Sequence, residues 1–179
     1  MTIREYIGVL LESVPQTFFE GAASILIVSL AVSLAFRGWR KGMRYAAVVV
    51  LVEYIALLYG STVIFREARE QRTYDFSPFW SYLAISEGRT ELAAENLMNV
   101  LVFVPVGFLL SACFKSLSWW MVLLIGCCLS LSIEAMQFLL MRGFAEFDDV
   151  MHNTLGCVMG YGVYKLSFGK LKCNAGKMR

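Results

Sequence analysis

Glu134 and Gln137 stand three residues apart inside an otherwise apolar run, Trp119 to Met141, so a helix puts both on one face. A carboxyl and an amide at that spacing can hold a hydroxyl or ammonium group, bond to a neighbouring helix, or move a proton. Arg142 follows at once, and its planar fork of donors suits a phosphate or carboxylate. Asp148 and His152 are one helical turn apart, as are Asp149 and Asn153. Upstream, Asn96 and Asn99 repeat the three-residue spacing of Glu134 and Gln137. These nine residues are the candidate ligand-binding set. Glu134, Asp149 and His152 are the candidates for acid/base chemistry.

Each also has a purely structural reading. Glu134 and Gln137 can bond to Asn99 and Asn153 across helices, and Arg142 can snorkel and pair with Glu146, Asp148 or Asp149. A carboxylate just before a helix caps it and meets the positive end of its dipole, which suits at least one of Asp148 and Asp149. His152 is the single histidine, whereas hydrolytic zinc sites commonly take two or more. No metal site and no cofactor is expected.

The elements that must position these groups are membrane helices. Of 179 residues 58% are hydrophobic and 17% charged, against roughly a quarter charged in soluble domains. Five runs approach the ~20 apolar residues that a helix needs to cross a bilayer. They are Phe18 to Phe36, Tyr45 to Phe65, Asn96 to Phe114, Trp119 to Met141 and Val150 to Phe168. Only helices satisfy their own backbone in lipid without closing into a barrel. The expected fold is therefore all-α: a polytopic bundle of five transmembrane helices forming one membrane domain over residues 1–179. Residues 3–14 place Ile3, Tyr6, Ile7, Leu10, Leu11 and Val14 on one face and read as an amphipathic interfacial helix. The first run is not a cleaved signal peptide, because its cations, Arg37, Arg40, Lys41 and Arg44, follow it. Pro105 marks a packed kink, and Glu53 lies alone in the second run at a different depth.

Alternation of the spans brings the start of the third, the end of the fourth and the start of the fifth to one membrane face. All nine candidate residues can therefore converge. Gly156 and Gly160 continue the Asn153 face, and Gly107 lies two turns below Asn99, so these glycines read as close helix-packing points. The excess of Lys and Arg in the first connection and the C-terminal tail puts both in the cytoplasm and the N-terminus outside. The five cysteines, Cys113, Cys127, Cys128, Cys157 and Cys173, form no CxxC pair and read as small apolar residues. A net charge of +2 without a basic stripe excludes a nucleic-acid partner. The aromatic stretch Phe76 to Tyr82 in the longest connection is either an interfacial anchor or the lid of a site.

Three stretches resemble the VanZ-like membrane proteins. Glu134-Ala-Met-Gln137 leads through Arg142-Gly-Phe-Ala-Glu-Phe-Asp-Asp149 to His152-Asn153-Thr-Leu-Gly156 and Gly160-Tyr161. Upstream lie Glu95-Asn-Leu-Met-Asn-Val-Leu-Val-Phe-Val-Pro-Val-Gly107 and Asp75-Phe-Ser-Pro-Phe-Trp80. The resemblance covers residues 74–164. It implies a small bacterial inner-membrane protein of the cell envelope, in a family named for resistance to the glycopeptide teicoplanin. It implies no particular reaction.

The expected function is binding, at the outer face, of an amphipathic ligand: a lipid-linked cell-wall precursor or a lipoglycopeptide antibiotic. In that reading Arg142 and His152 meet anionic groups, Asn99, Gln137 and Asn153 orient the head group, and Glu134 meets a cation or hydroxyl. A hydrolase or transferase acting on a lipid head group, with Glu134 or Asp149 as base, is the enzymatic alternative. A non-catalytic scaffold for envelope proteins is the third. Membrane lipids are the expected surroundings in each.

Overall fold

The computed structural model describes residues 14–175, and of residues 29, 32–43 and 169–175 the backbone alone. The amphipathic helix expected over residues 3–14 lies outside the described residues, apart from the buried Val14.

Helix α1 spans Gln16–Tyr59 without a break and continues as a π-helical turn, Gly60–Ile64. A straight α-helix of 44 residues would be about 66 Å long. Yet the rings of Phe18 and Phe65 lie 5.8 Å apart, and Phe19, Ala22 and Leu26 share one shallow groove with Val50, Tyr54 and Leu57. The chain must therefore double back between its two apolar arms, Gln16–Val28 and Arg44–Ile64. Two separate spans were expected here; the reversal between them is made within helical backbone.

Beyond this hairpin come strand β1 (Tyr74–Asp75), the short helix α2 (Trp80–Ser86) and helices α3 (Glu91–Cys113) and α4 (Trp119–Leu140). Strand β2 (Ala145–Glu146) and helix α5 (Phe147–Ala175) complete the fold. Three described helices are long and apolar enough to cross a membrane: Arg44–Ile64, Glu91–Cys113 and Trp119–Leu140. The expected count of five is not reached by this measure. The first arm is short, and α5 carries Asp148, Asp149, His152, Asn153 and Lys165 among its apolar residues.

The tightest packing is between α3 and α5, and it is made by glycines. A Cβ on Gly156 would lie 2.0 Å from the Val100 carbonyl oxygen, and one on Gly160 would lie 2.0 Å from that of Val104. A Cβ on Gly107, from the other side, would lie 1.8 Å from the Cys157 oxygen. With no side chain between them the two backbones touch, which is how membrane helices gain packing energy without a hydrophobic driving force. Helix α4 joins the same contact at Gly126, which abuts Cys157, and through Asn153 Nδ2 donating to Ser130 Oγ at 2.9 Å.

The second arm of α1 is tied to α3 by polar groups at one end of the bundle and midway along it. Arg44 Nε donates to the Cys113 carbonyl (2.7 Å), an oxygen left open at the end of α3, and Tyr54 donates to that of Val102 (2.8 Å). Among the cysteines, Cys113 and Cys157 are buried in the core, as their apolar setting predicts, whereas Cys128 is exposed on the bundle surface.

Candidate functional site

Three chain segments meet at one end of the bundle: the start of α3, the end of α4 and the start of α5. The long connection after α1 closes over them. It is held by backbone pairing and by ring contacts of Tyr74 and Phe76 with Phe138 and of Trp80 with Phe144. β1 and β2 pair in parallel, with Tyr74 opposite Ala145 and Asp75 opposite Glu146. Arg69 N donates to Met141 O (2.7 Å), Ala145 N to Thr73 O (3.1 Å) and Thr73 Oγ1 to Gly143 O (2.7 Å). Gly143 sits at φ +123°, and a Cβ there would meet Arg66 and Gln137, so this turn requires glycine on both counts.

Beneath the connection lies a cavity of about 380 Å³. Of the nine candidate binding residues, six line it: Asn96, Asn99, Glu134, Gln137, Asp149 and Asn153. Arg66, Arg69, Glu95 and Glu146 line it as well, with Trp80 and Phe144 as aromatic walls. None of these four charged residues was in the sequence-derived set. Glu95 did carry a signal, since it lies one turn before Asn99 on α3.

The other three candidates are placed elsewhere. Arg142, expected at the ligand, donates to the carbonyls of Val63 and Ile64 and so closes the end of the π-helical turn after α1. Asp148 is fully buried and caps α2 rather than its own helix. It accepts from Phe79 N (2.6 Å), Ser81 N (3.0 Å) and Ser81 Oγ (2.6 Å). Phe79, in the left-handed region at φ 64°, turns the chain into that cap. His152 Nε2 pairs with Tyr82 OH at 2.8 Å and holds the far side of α2. These three side chains are engaged by protein groups.

Inside the cavity the polar groups are already connected. Glu134 Oε2 accepts from Glu146 N (3.0 Å), Glu146 Oε2 from Trp80 Nε1 (2.9 Å) and Asp149 Oδ1 from Asn99 Nδ2 (2.5 Å). Burial pushes the Glu146 carboxyl up to about 8; the Asp149 charge adds to this and the Trp80 hydrogen bond opposes it. Glu146 is thus poised to exchange a proton near neutral pH. The aromatic stretch divides its roles. Trp80 turns inward to the cavity, while Tyr74, Phe76, Phe79 and Tyr82 stay about half exposed, as interfacial side chains do.

Among the described residues, no three His, Cys, Asp or Glu side chains come together as a metal cage. The arrangement can hold a polar group by hydrogen bonds and charge, and it carries carboxyls able to exchange protons.

Residues 42–168 match the VanZ/LLP1 family, a stretch that begins well upstream of the motifs that first suggested it and takes in the second arm of α1. The chain is similar to Protein VanZ of Enterococcus faecium, 28% identical over 123 residues, which are 69% of this chain and 70% of that relative. No solved structure matches.

Proposed function

The chain belongs to the VanZ/LLP1 family, and from that premise we propose that it is a cell-envelope membrane protein that binds the polar head of an amphipathic ligand in the cavity beneath α2. Its role would be to contribute to glycopeptide resistance, teicoplanin included. The ligand is a lipid-linked cell-wall precursor or a lipoglycopeptide whose acyl chain stays in the bilayer. The observation that carries this reading is the position of the cavity. It lies at the shared end of apolar helices long enough to cross a membrane, where a head group can enter while its tail remains in lipid. In the proposed orientation the N-terminus and the cavity are outside and the C-terminus is in the cytoplasm of a bacterial inner membrane.

Placement of the side chains revises their roles. The anionic part of a ligand would meet Arg66 and Arg69, both exposed at the cavity edge, rather than Arg142 and His152. Glu134, Gln137, Asn99 and Asn153 would hold the head group. A second reading, hydrolysis or transfer at the head group, is favoured by the placement of the Glu146 carboxyl in the cavity lining beside Glu134, where burial pushes it up to about 8, as suits a general acid.

The test is complementation. Cells lacking the protein and challenged with teicoplanin would receive wild type or Glu134→Gln, with membrane insertion of both checked. Protection by wild type and its loss in the inserted variant is the expected result. Full protection by the variant would remove the carboxylate from the mechanism. Chemical change in an envelope lipid, dependent on Glu146, would favour the enzyme.

A further inference from the structure

The cavity is lined by more hydrogen-bond acceptors than free donors. Each of the four amide side chains that line it already gives one N–H to the protein. Asn96 donates to Ser81 Oγ (3.1 Å), Asn99 to Asp149 (2.5 Å), Gln137 to the Thr62 carbonyl (3.2 Å) and Asn153 to Ser130 Oγ (2.9 Å). Gln137 is 6% exposed, and its Oε1 is buried with no partner among the described residues. A buried acceptor left open is costly unless something donates to it. Four carboxyls, Glu95, Glu134, Glu146 and Asp149, surround the same space. The guanidinium groups of Arg66 and Arg69 belong to exposed residues at the edge, where Arg69 Nη1 also donates to Thr73 Oγ1 (3.0 Å).

From this division we propose that the cavity recognises a primary ammonium group carried next to an anionic one. The ammonium enters among Gln137 Oε1 and the carboxyls, and its anionic neighbour, a phosphate or carboxylate, stays at Arg66 and Arg69. Three N–H donors on one compact cation match a chamber rich in acceptors. A bare phosphate brings mainly lone pairs to a place already crowded with them. This inference rests on the head-group reading above and narrows it. The ammonium comes from an ethanolamine phospholipid of the surrounding membrane or from an amine on a water-soluble ligand.

The experiment uses the purified full chain and titrates it with phosphoethanolamine, phosphocholine and glycerol phosphate, by calorimetry or by thermal shift. Phosphocholine keeps both charges but has no N–H to donate. The expected result is saturable binding of phosphoethanolamine, with phosphocholine and glycerol phosphate weaker by about tenfold or more, the usual loss when charge-assisted hydrogen bonds are removed. Glu134→Gln should weaken phosphoethanolamine selectively. The wild-type comparison of the three probes stands even where the variant folds poorly. Nanodiscs of phosphatidylethanolamine against phosphatidylcholine distinguish the sources. Competition by the ethanolamine bilayer assigns the site to lipid, and undiminished binding of the soluble probe assigns it to a water-soluble amine. Equal binding of phosphocholine, or tighter binding of glycerol phosphate, overturns the ammonium proposal and leaves the head-group reading standing. Binding of none of the three overturns both.

Discussion

Ser81 gives both its backbone amide and its hydroxyl to one oxygen of Asp148, 67 residues further along the chain, at 3.0 and 2.6 Å. A carboxylate with no exposed surface normally needs such partners to be tolerated at all. Here the partners are the free N–H groups at the start of α2, so the anchor of the connection and the cap of its helix are the same contact.

Replacing Asp148 by Ala should therefore detach α2. The change removes three hydrogen bonds to a charged acceptor and leaves buried donors open, which predicts a loss of about 3 kcal/mol. Thermal unfolding of the detergent-purified protein, with limited proteolysis near Phe79, would check it. Cleavage in the connection should appear before the bundle melts.

Gly156→Ala should be costly and Gly162→Ala should not. The added Cβ at Gly156 falls 2.0 Å from the Val100 oxygen, which is backbone and cannot swing away, whereas nothing among the described residues lies within 4 Å of one at Gly162. Forced separation of α3 and α5 is expected to cost about 2–3 kcal/mol. The Gly162 change is expected to be neutral or slightly favourable through helix propensity. Denaturation midpoints of the two variants, measured side by side, decide it.

Glu146 predicts two pH responses of opposite sign. Its carboxyl titrates near 4.5 when exposed and at about 8 in the folded chain, so between these values the native state holds a proton that the unfolded chain has released. Stability from this group is complete below about pH 4.5, declines as pH rises and is gone once pH passes about 8. Ammonium binding should run the other way and tighten through pH 8, as Glu146 gains its charge. Melting temperatures and phosphoethanolamine titrations between pH 5 and 9 should show both slopes, and Glu146→Gln should flatten both.

Much of this was legible in the chain. Long apolar runs give the helices. Asn96, Asn99, Glu134, Gln137, Asp149 and Asn153 stood out because polar groups in apolar helices are costly, and that cost drew attention to the end of the bundle where the cavity lies. The same reasoning was blind to Arg66, Arg69 and Glu146, which lie outside the spans, where a charge costs nothing and so signals nothing. Their arrival at the cavity depends on the pairing of Tyr74–Asp75 with Ala145–Glu146, a two-residue register with no periodicity to detect. Arg142, Asp148 and His152 erred in the other direction. Their chemistry suits a ligand equally well, and only the position of α2 and of the last turn of the α1 hairpin reveals that protein groups occupy them.

The glycine contact between α3 and α5 has a mechanical meaning as well. Carbonyl oxygens of Val100, Val104 and Cys157 seat against glycine on the opposite helix like the teeth of a rack. Helices meshed in this way cannot slide by a fraction of a turn, and they have no intervening side chains to repack. The wall of the cavity built from α3 and α5 is its stationary jaw. On the opposing side α2 and the connection are fastened by the β1–β2 pairing and by separate hydrogen bonds of Asp148, Glu146 and His152, a set of individual ties rather than meshed backbone.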